Sequence, residues 1–170
     1  MNKKESDSKI THLNCREIQA PIVSSLIKAF ADKIGYDETI KVVKQVVRED
    51  AILSGKMLAD KYGGNTLTEL AKIVNEVWAN DDALRIKMIK EDETELNFNV
   101  TSCKYADLYE KLGIKELGSI LSCCRDFFFM DGFNPKIKLK RTKTIMEGNK
   151  YCDFRYIKKG RYYNKKSSRK

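Results

Sequence analysis

The sequence predicts an α+β domain: N-terminal amphipathic helices packed on a roughly five-stranded antiparallel sheet, with a helical pair inserted between strands. Three observations lead there. Apolar residues recur at a spacing near four from residue 21 to 78, then switch to alternate positions after "ANDD". Helical spacing returns over 104–123, between two stretches of alternation. No internal repeat and no Pro/Gly-rich boundary divides the 170 residues, so 19–157 read as one domain, helices over 21–78 and the sheet-rich part over 83–157.

Taken in order, residues 1–18 read as a mobile N-terminal segment. Pro21 suits a first helical position, where its missing N–H costs nothing. Ile22, Leu26, Phe30 and Ile34 follow at i, i+4 spacing beside Val23 and Ile27, and Gly35 stops the helix. Asp37 can cap the next one, whose stripe of Ile40, Val43, Val47, Ala51 and Leu58 runs past Gly55 to Gly63-Gly64. Thr66 and Glu69 form a capping-box pair before Leu67, Leu70, Ile73, Val74, Val77 and Trp78. Leu84, Ile86 and Met88, then Leu96, Phe98 and Val100, alternate around "EDET" and read as a hairpin with one wet face. "KYADLYEKLG" and "KELGSILSC" supply the inserted helices. "RDFFFMDGF" reads as a central strand, "NP" at 134–135 as a turn, and "KIKLKRTKTIME" and "YCDFRYI" as two strands folded across Gly148.

Composition narrows the function. The formal charge of +9 is concentrated in residues 158–170, which hold seven basic residues and no acidic one; without them the body carries +2. That tail reads as disordered. It makes nucleic acid an unfavoured partner, although Tyr162 and Tyr163 could stack on bases. No apolar run reaches membrane-spanning length, and the start lacks a signal peptide's apolar stretch, so a cytoplasmic protein without a membrane partner is expected. Five cysteines, an odd number, argue against a disulfide framework. With one histidine and no C-x-x-C spacing, neither a metal site nor a cofactor is expected. A homo-oligomer stays open.

Strand parity picks out candidate chemistry. Along 151–156, Cys152, Phe154 and Tyr156 share one face and Tyr151, Asp153 and Arg155 the other. Arg141 interrupts the row Ile137, Leu139, Lys143, Ile145. A guanidinium there needs an anion or a buried carboxylate, unless the strand end lets it reach water; as a binding group it would hold a substrate carboxylate by a two-point fork. Asp126 beside Phe127, Phe128 and Phe129 is either an acid–base group with a raised pKa or a residue bonding a nearby backbone N–H. Each cysteine is either a small buried apolar group or a nucleophile that lacks a histidine partner. "GGNT" at 63–66 lacks the lysine and strand of a phosphate loop and reads as a helix–helix turn.

The stretches "VTSCKYADLYEKLG", "LGSILSCCRDFFFMDGFNP", "IKLKRTKTIMEG" and "CDFRY", spanning about residues 100–156, resemble the L-2-amino-thiazoline-4-carboxylic acid hydrolase family. The resemblance implies opening of a cyclic isothiourea or amidine carboxylate to an N-carbamoyl amino acid, with a small carboxylate-bearing molecule as partner. It implies Cys123, Asp126, Cys152 and Asp153 as catalytic candidates, with Cys103, Arg141 and Thr142 on the substrate-binding side. Asp126 or Asp153 would activate water, Thr142 would steady developing charge, and Cys123, Cys103 or Cys152 could attack instead. Cys123 and Asp126 match the family's Cys-x-x-Asp spacing. The ending Gly148, Cys152, Phe154 also resembles small-molecule-sensing domains of the vinyl-reductase type, which implies a non-enzymatic alternative.

Overall fold

Thr11, not Pro21, starts the first helix. Its hydroxyl accepts from the Asn14 backbone while Asn14 Oδ1 accepts from the Thr11 N–H, a reciprocal cap that opens α1 (His12–Ile34). Pro21 lies inside that helix. The computed structural model describes residues 10–158; residues 1–9 and the basic tail beyond Lys158 lie outside the described residues. Gly35, at φ +88°, both ends α1 and precedes α2 (Tyr36–Lys61). Asp37 makes no capping bond and sits in the first turn, where its charge still suits the helix dipole. α3 (Leu67–Ile73) opens with the Thr66–Glu69 capping box the spacing predicts and continues as a π turn through Val74–Trp78.

Among the described residues the sheet has four strands rather than five. β1 (Leu84–Glu91) and β2 (Glu95–Cys103) form the expected antiparallel hairpin. After them come α4 (Lys104–Lys111), α5 (Lys115–Gly118) with a π turn to Cys123, and α6 (Arg125–Phe133). β3 (Ile137–Lys140) and β4 (Cys152–Lys158) complete an antiparallel sheet of order β1-β2-β4-β3.

The missing strand is "RDFFFMDGF", which is α6. Phenylalanine favours strands only as far as packing allows, and here packing decides otherwise. Phe129, Met130 and Phe133 fall on one helical face and are buried. Gly132 of α6 lies against the Ile52 backbone, and Gly55 of α2 against the backbones of Phe129 and Phe133, with no room for a Cβ at either position. Two glycines thus let α2 and α6 meet backbone to backbone. Gly55, which weakens α2 locally, is what this crossing requires.

The main core lies between the helices and one sheet face, where Leu96, Phe98, Val100, Cys152, Phe154 and Tyr156 point inward. Phe98 pairs with Phe154 across β2 and β4, their rings stacked with centroids 5.0 Å apart. The α1 stripe behaves otherwise than its period suggests. Ala20, Ser24 and Ile27 are buried, whereas Ile22, Leu26, Phe30 and Ile34 stay 54–69% exposed. Val42, Val46, Leu53 and Met57 of α2 are exposed as well.

Candidate functional site

A cavity of about 470 Å³ opens between the inward sheet face and the helices. The sheet contributes Phe98, Val100, Cys152 and Phe154; α2 contributes Ala51, Ser54 and Leu58; the π turn contributes Val77 and Trp78. Of the residues singled out in the sequence, Cys103, Cys123, Asp126, Arg141 and Cys152 line this cavity. They come from the end of β2, the turn before α6, the first turn of α6, the segment after β3 and the start of β4. Thr142 and Asp153 are not among its walls.

Arg141 Nη1 donates to Asp126 Oδ2, and Nη2 donates to the Cys123 carbonyl at 2.9 Å. The guanidinium lies over the Phe127 and Phe154 rings, 5.1 and 4.9 Å from their centroids. Its side chain is only 4% exposed, whereas Asp126 keeps 23% and faces the cavity. The anion that an arginine on an apolar face demands is therefore Asp126, and the fork is already engaged. Burial lifts the Asp126 carboxyl above the usual carboxylate range, with the Arg141 charge acting against it. Burial also works against the Arg141 charge, but Asp126 outweighs it and holds the guanidinium protonated.

Three thiols share the cavity. Burial pushes Cys103 up to about 11, and burial with the nearby Asp126 pushes Cys123 higher still. Burial also raises Cys152, whose Sγ accepts from the Ile145 N–H at 3.2 Å. All three are neutral near pH 7, the opposite of what a thiolate nucleophile needs.

Thr142 and Asp153 form a clamp on the outer side. Asp153 accepts from Thr142 N at 2.8 Å, Thr142 Oγ1 at 2.7 Å and Lys143 N at 2.6 Å. Burial alone would raise this carboxyl, but these bonds win and lower it. The clamp fixes the residues directly after Arg141. Arg155 does not pair with Asp153: it donates to the Phe98 and Phe154 carbonyls and to Asn99 Oδ1, bracing β2 against β4.

Other wall residues carry no signal in their local sequence. His12 Nδ1 lies 3.0 Å from Tyr105 Oη, which donates to the Trp78 carbonyl at 3.1 Å. With the phenol proton committed there, Nδ1 is the donor and Nε2 keeps its lone pair. Burial, aided by Arg16 and Arg125, lowers His12 to about 4 and keeps it neutral. Arg16 lines the same cavity from the next turn of α1, and Arg125 from α6. Only the packing of α1 over the cavity brings His12 and Arg16 there.

The sequence model of the L-2-amino-thiazoline-4-carboxylic acid hydrolase family matches residues 15–156, a span that contains every strand residue and acid of the cavity. The chain belongs to this family. No curated protein sequence matches it. Among solved structures, this family member is similar to the phenol-responsive sensory domain of the transcription activator PoxR, crystallised with phenol. The TM-score is 0.53 at 9% identity, over 82% of this chain and 74% of that one. A trafficking protein particle complex subunit 3 from Naegleria fowleri, covalently bound to palmitic acid, aligns at TM-score 0.46 and 13% identity over 85% and 97% of the two chains. An H-NOX protein from K. algicida aligns at 0.39 and 10% over 83% and 74%. The first of these shows a shared fold.

Proposed function

We propose that this family member hydrolyses a small cyclic amidine or isothiourea carboxylate, opening the ring to an N-carbamoyl amino acid. One observation carries the reading: Asp126, its carboxyl lifted by burial and oriented by Arg141, lines a largely apolar cavity in a chain of the family named for that reaction. Asp126 takes a proton from water as the water oxygen adds to the ring carbon between sulfur and nitrogen, and passes it to the ring nitrogen. Collapse of the adduct breaks the carbon–sulfur bond. The adduct's hydroxyl proton travels through Asp126 to the leaving sulfur, and a free thiol and a carbamoyl group result. Attack by Cys123 is the weaker route, because its thiol is pushed up rather than down. Asp153 and Thr142 position the Arg141 segment in this scheme. The test is release of free thiol from 2-amino-thiazoline-4-carboxylate. The wild type turns over, and Asp126→Asn slows the reaction by about 100-fold or more; an unchanged rate in that variant removes Asp126 from the chemistry.

A non-enzymatic ligand-binding domain is the second reading, favoured by the engaged Arg141 fork and the neutral thiols. A phenol-responsive sensory domain shares the fold. Tight binding of 2-amino-thiazoline-4-carboxylate without thiol release selects this reading.

No described helix is long and apolar enough to cross a membrane. Five free cysteines suit a reducing compartment, and we place the protein in the cytoplasm. The partner surface is the outer face of α1 and α2. Ile18, Ile22, Leu26, Phe30 and Ile34 with Val42, Val46 and Leu53 are each more than half exposed. Together they offer on the order of 800–1,000 Å² of apolar surface, the share one partner brings to a standard interface. A second copy presenting the same face is the occupant that satisfies it symmetrically.

A further inference from the structure

A second, more polar chamber of about 410 Å³ adjoins the aromatic cavity. His12, Arg16, Ser54 and Arg125 line both, so these side chains stand at the boundary between the two. The charges there are unbalanced. Arg125 is 14% exposed and pairs with Asp50 at 2.5 Å. Arg16 is half-buried and forms no ion pair among the described residues; its one side-chain bond is Nη1 to Gln19 Oε1 at 3.1 Å. Burial and, after it, the neighbouring Arg125 disfavour its charge, with Asp50 acting only partly against them, and a half-buried arginine without a direct counter-anion is costly. Deeper in, Arg141 already has its carboxylate.

We infer that Arg16 is the head-group reader of this site: it binds the carboxylate of an amphipathic acid at this boundary, while the acid's apolar part lies among Phe98, Phe154, Phe129 and Trp78. The inference rests on reading the cavity as a ligand site and is independent of whether the ligand is turned over. A carboxylate fits the fork of Arg16 by two parallel bonds. The aromatic chamber supplies the apolar contact that a free inorganic anion could not use. Asp50 stays with Arg125, so at this boundary Arg16 is the cation left for a negative head group; Lys61, the other cation of the cavity wall, lies in the last turn of α2.

Trp78 is the only tryptophan and forms part of the aromatic wall, so its fluorescence reports occupancy. The probes are phenylacetate, phenylbutyrate and phenylhexanoate, each titrated beside its primary amide. The wild type prefers the best-fitting acid over its amide by about tenfold or more. Arg16→Gln abolishes that preference while amides still perturb Trp78, which also shows that the variant is folded; Arg16→Lys keeps part of it. An acid-to-amide ratio unchanged by Arg16→Gln overturns the assignment while the cavity remains a ligand site. If neither acids nor amides perturb Trp78, the cavity is not a ligand site and the inference falls with it.

Discussion

Arg141 and Asp126 form an ion pair inside the molecule, joining the segment after β3 to the first turn of α6 across the wall of the aromatic cavity. An arginine held in reserve for substrate could be removed at little cost to the fold. This one cannot, because its loss leaves a buried carboxylate without a counter-charge.

Arg141→Ala is therefore expected to destabilise the protein by about 3–5 kcal/mol. The penalty depends on pH. Burial lifts the folded-state Asp126 pKa above the unfolded value, so the native state binds that proton more tightly. The associated stability is full below the unfolded carboxylate pKa and is lost as pH rises through the folded one. Removing the guanidinium that opposes this lift widens the window. Urea denaturation of both proteins should show a smaller difference near about pH 5 than near about pH 8; equal differences would mean that Asp126 does not sense Arg141.

Asp153→Ala removes three hydrogen bonds to Thr142 and Lys143 and should cost about 1–3 kcal/mol. Asp153 has a lowered folded pKa, so its contribution is present above the unfolded carboxylate pKa and fades as pH falls through the folded one. A wild-type-like denaturation midpoint at neutral pH would show that the clamp does not hold this segment.

Gly132→Ala places a methyl group against the Ile52 backbone. Because α6 cannot retreat without disturbing Phe129 and Phe133 in the core, a loss of about 1–3 kcal/mol is expected. Since α6 also carries Asp126, ligand affinity should fall with stability. A variant with unchanged thermal midpoint would contradict the close crossing of α2 and α6.

Leu26→Glu combined with Phe30→Glu puts charge into the exposed face of α1. Light scattering should find the wild type as a dimer of 19.6 kDa chains and the double variant as a monomer with intact far-UV circular dichroism. A monomeric wild type at high protein concentration would overturn self-association through this face.

The α+β class, the capping box at Thr66 and the β1–β2 hairpin are legible in the residues alone, because periodicity and caps are local properties; for Arg141 the residues left two outcomes, a counter-anion or water at a strand end, and the fold supplied Asp126. The residues also marked out Cys103, Cys123, Asp126 and Cys152, whose convergence on one cavity with Arg141 needed the fold. That Phe127, Phe128 and Phe129 belong to a helix is not legible locally, since that helix packs on α2 through two glycines far apart in sequence. The tertiary structure alone set Thr142 and Asp153 outside the cavity, exposed the face of α1 that its apolar spacing suggests is buried, and carried His12 and Arg16 to the site. Each of those outcomes depends on which surfaces meet, and that is fixed by packing between segments distant along the chain.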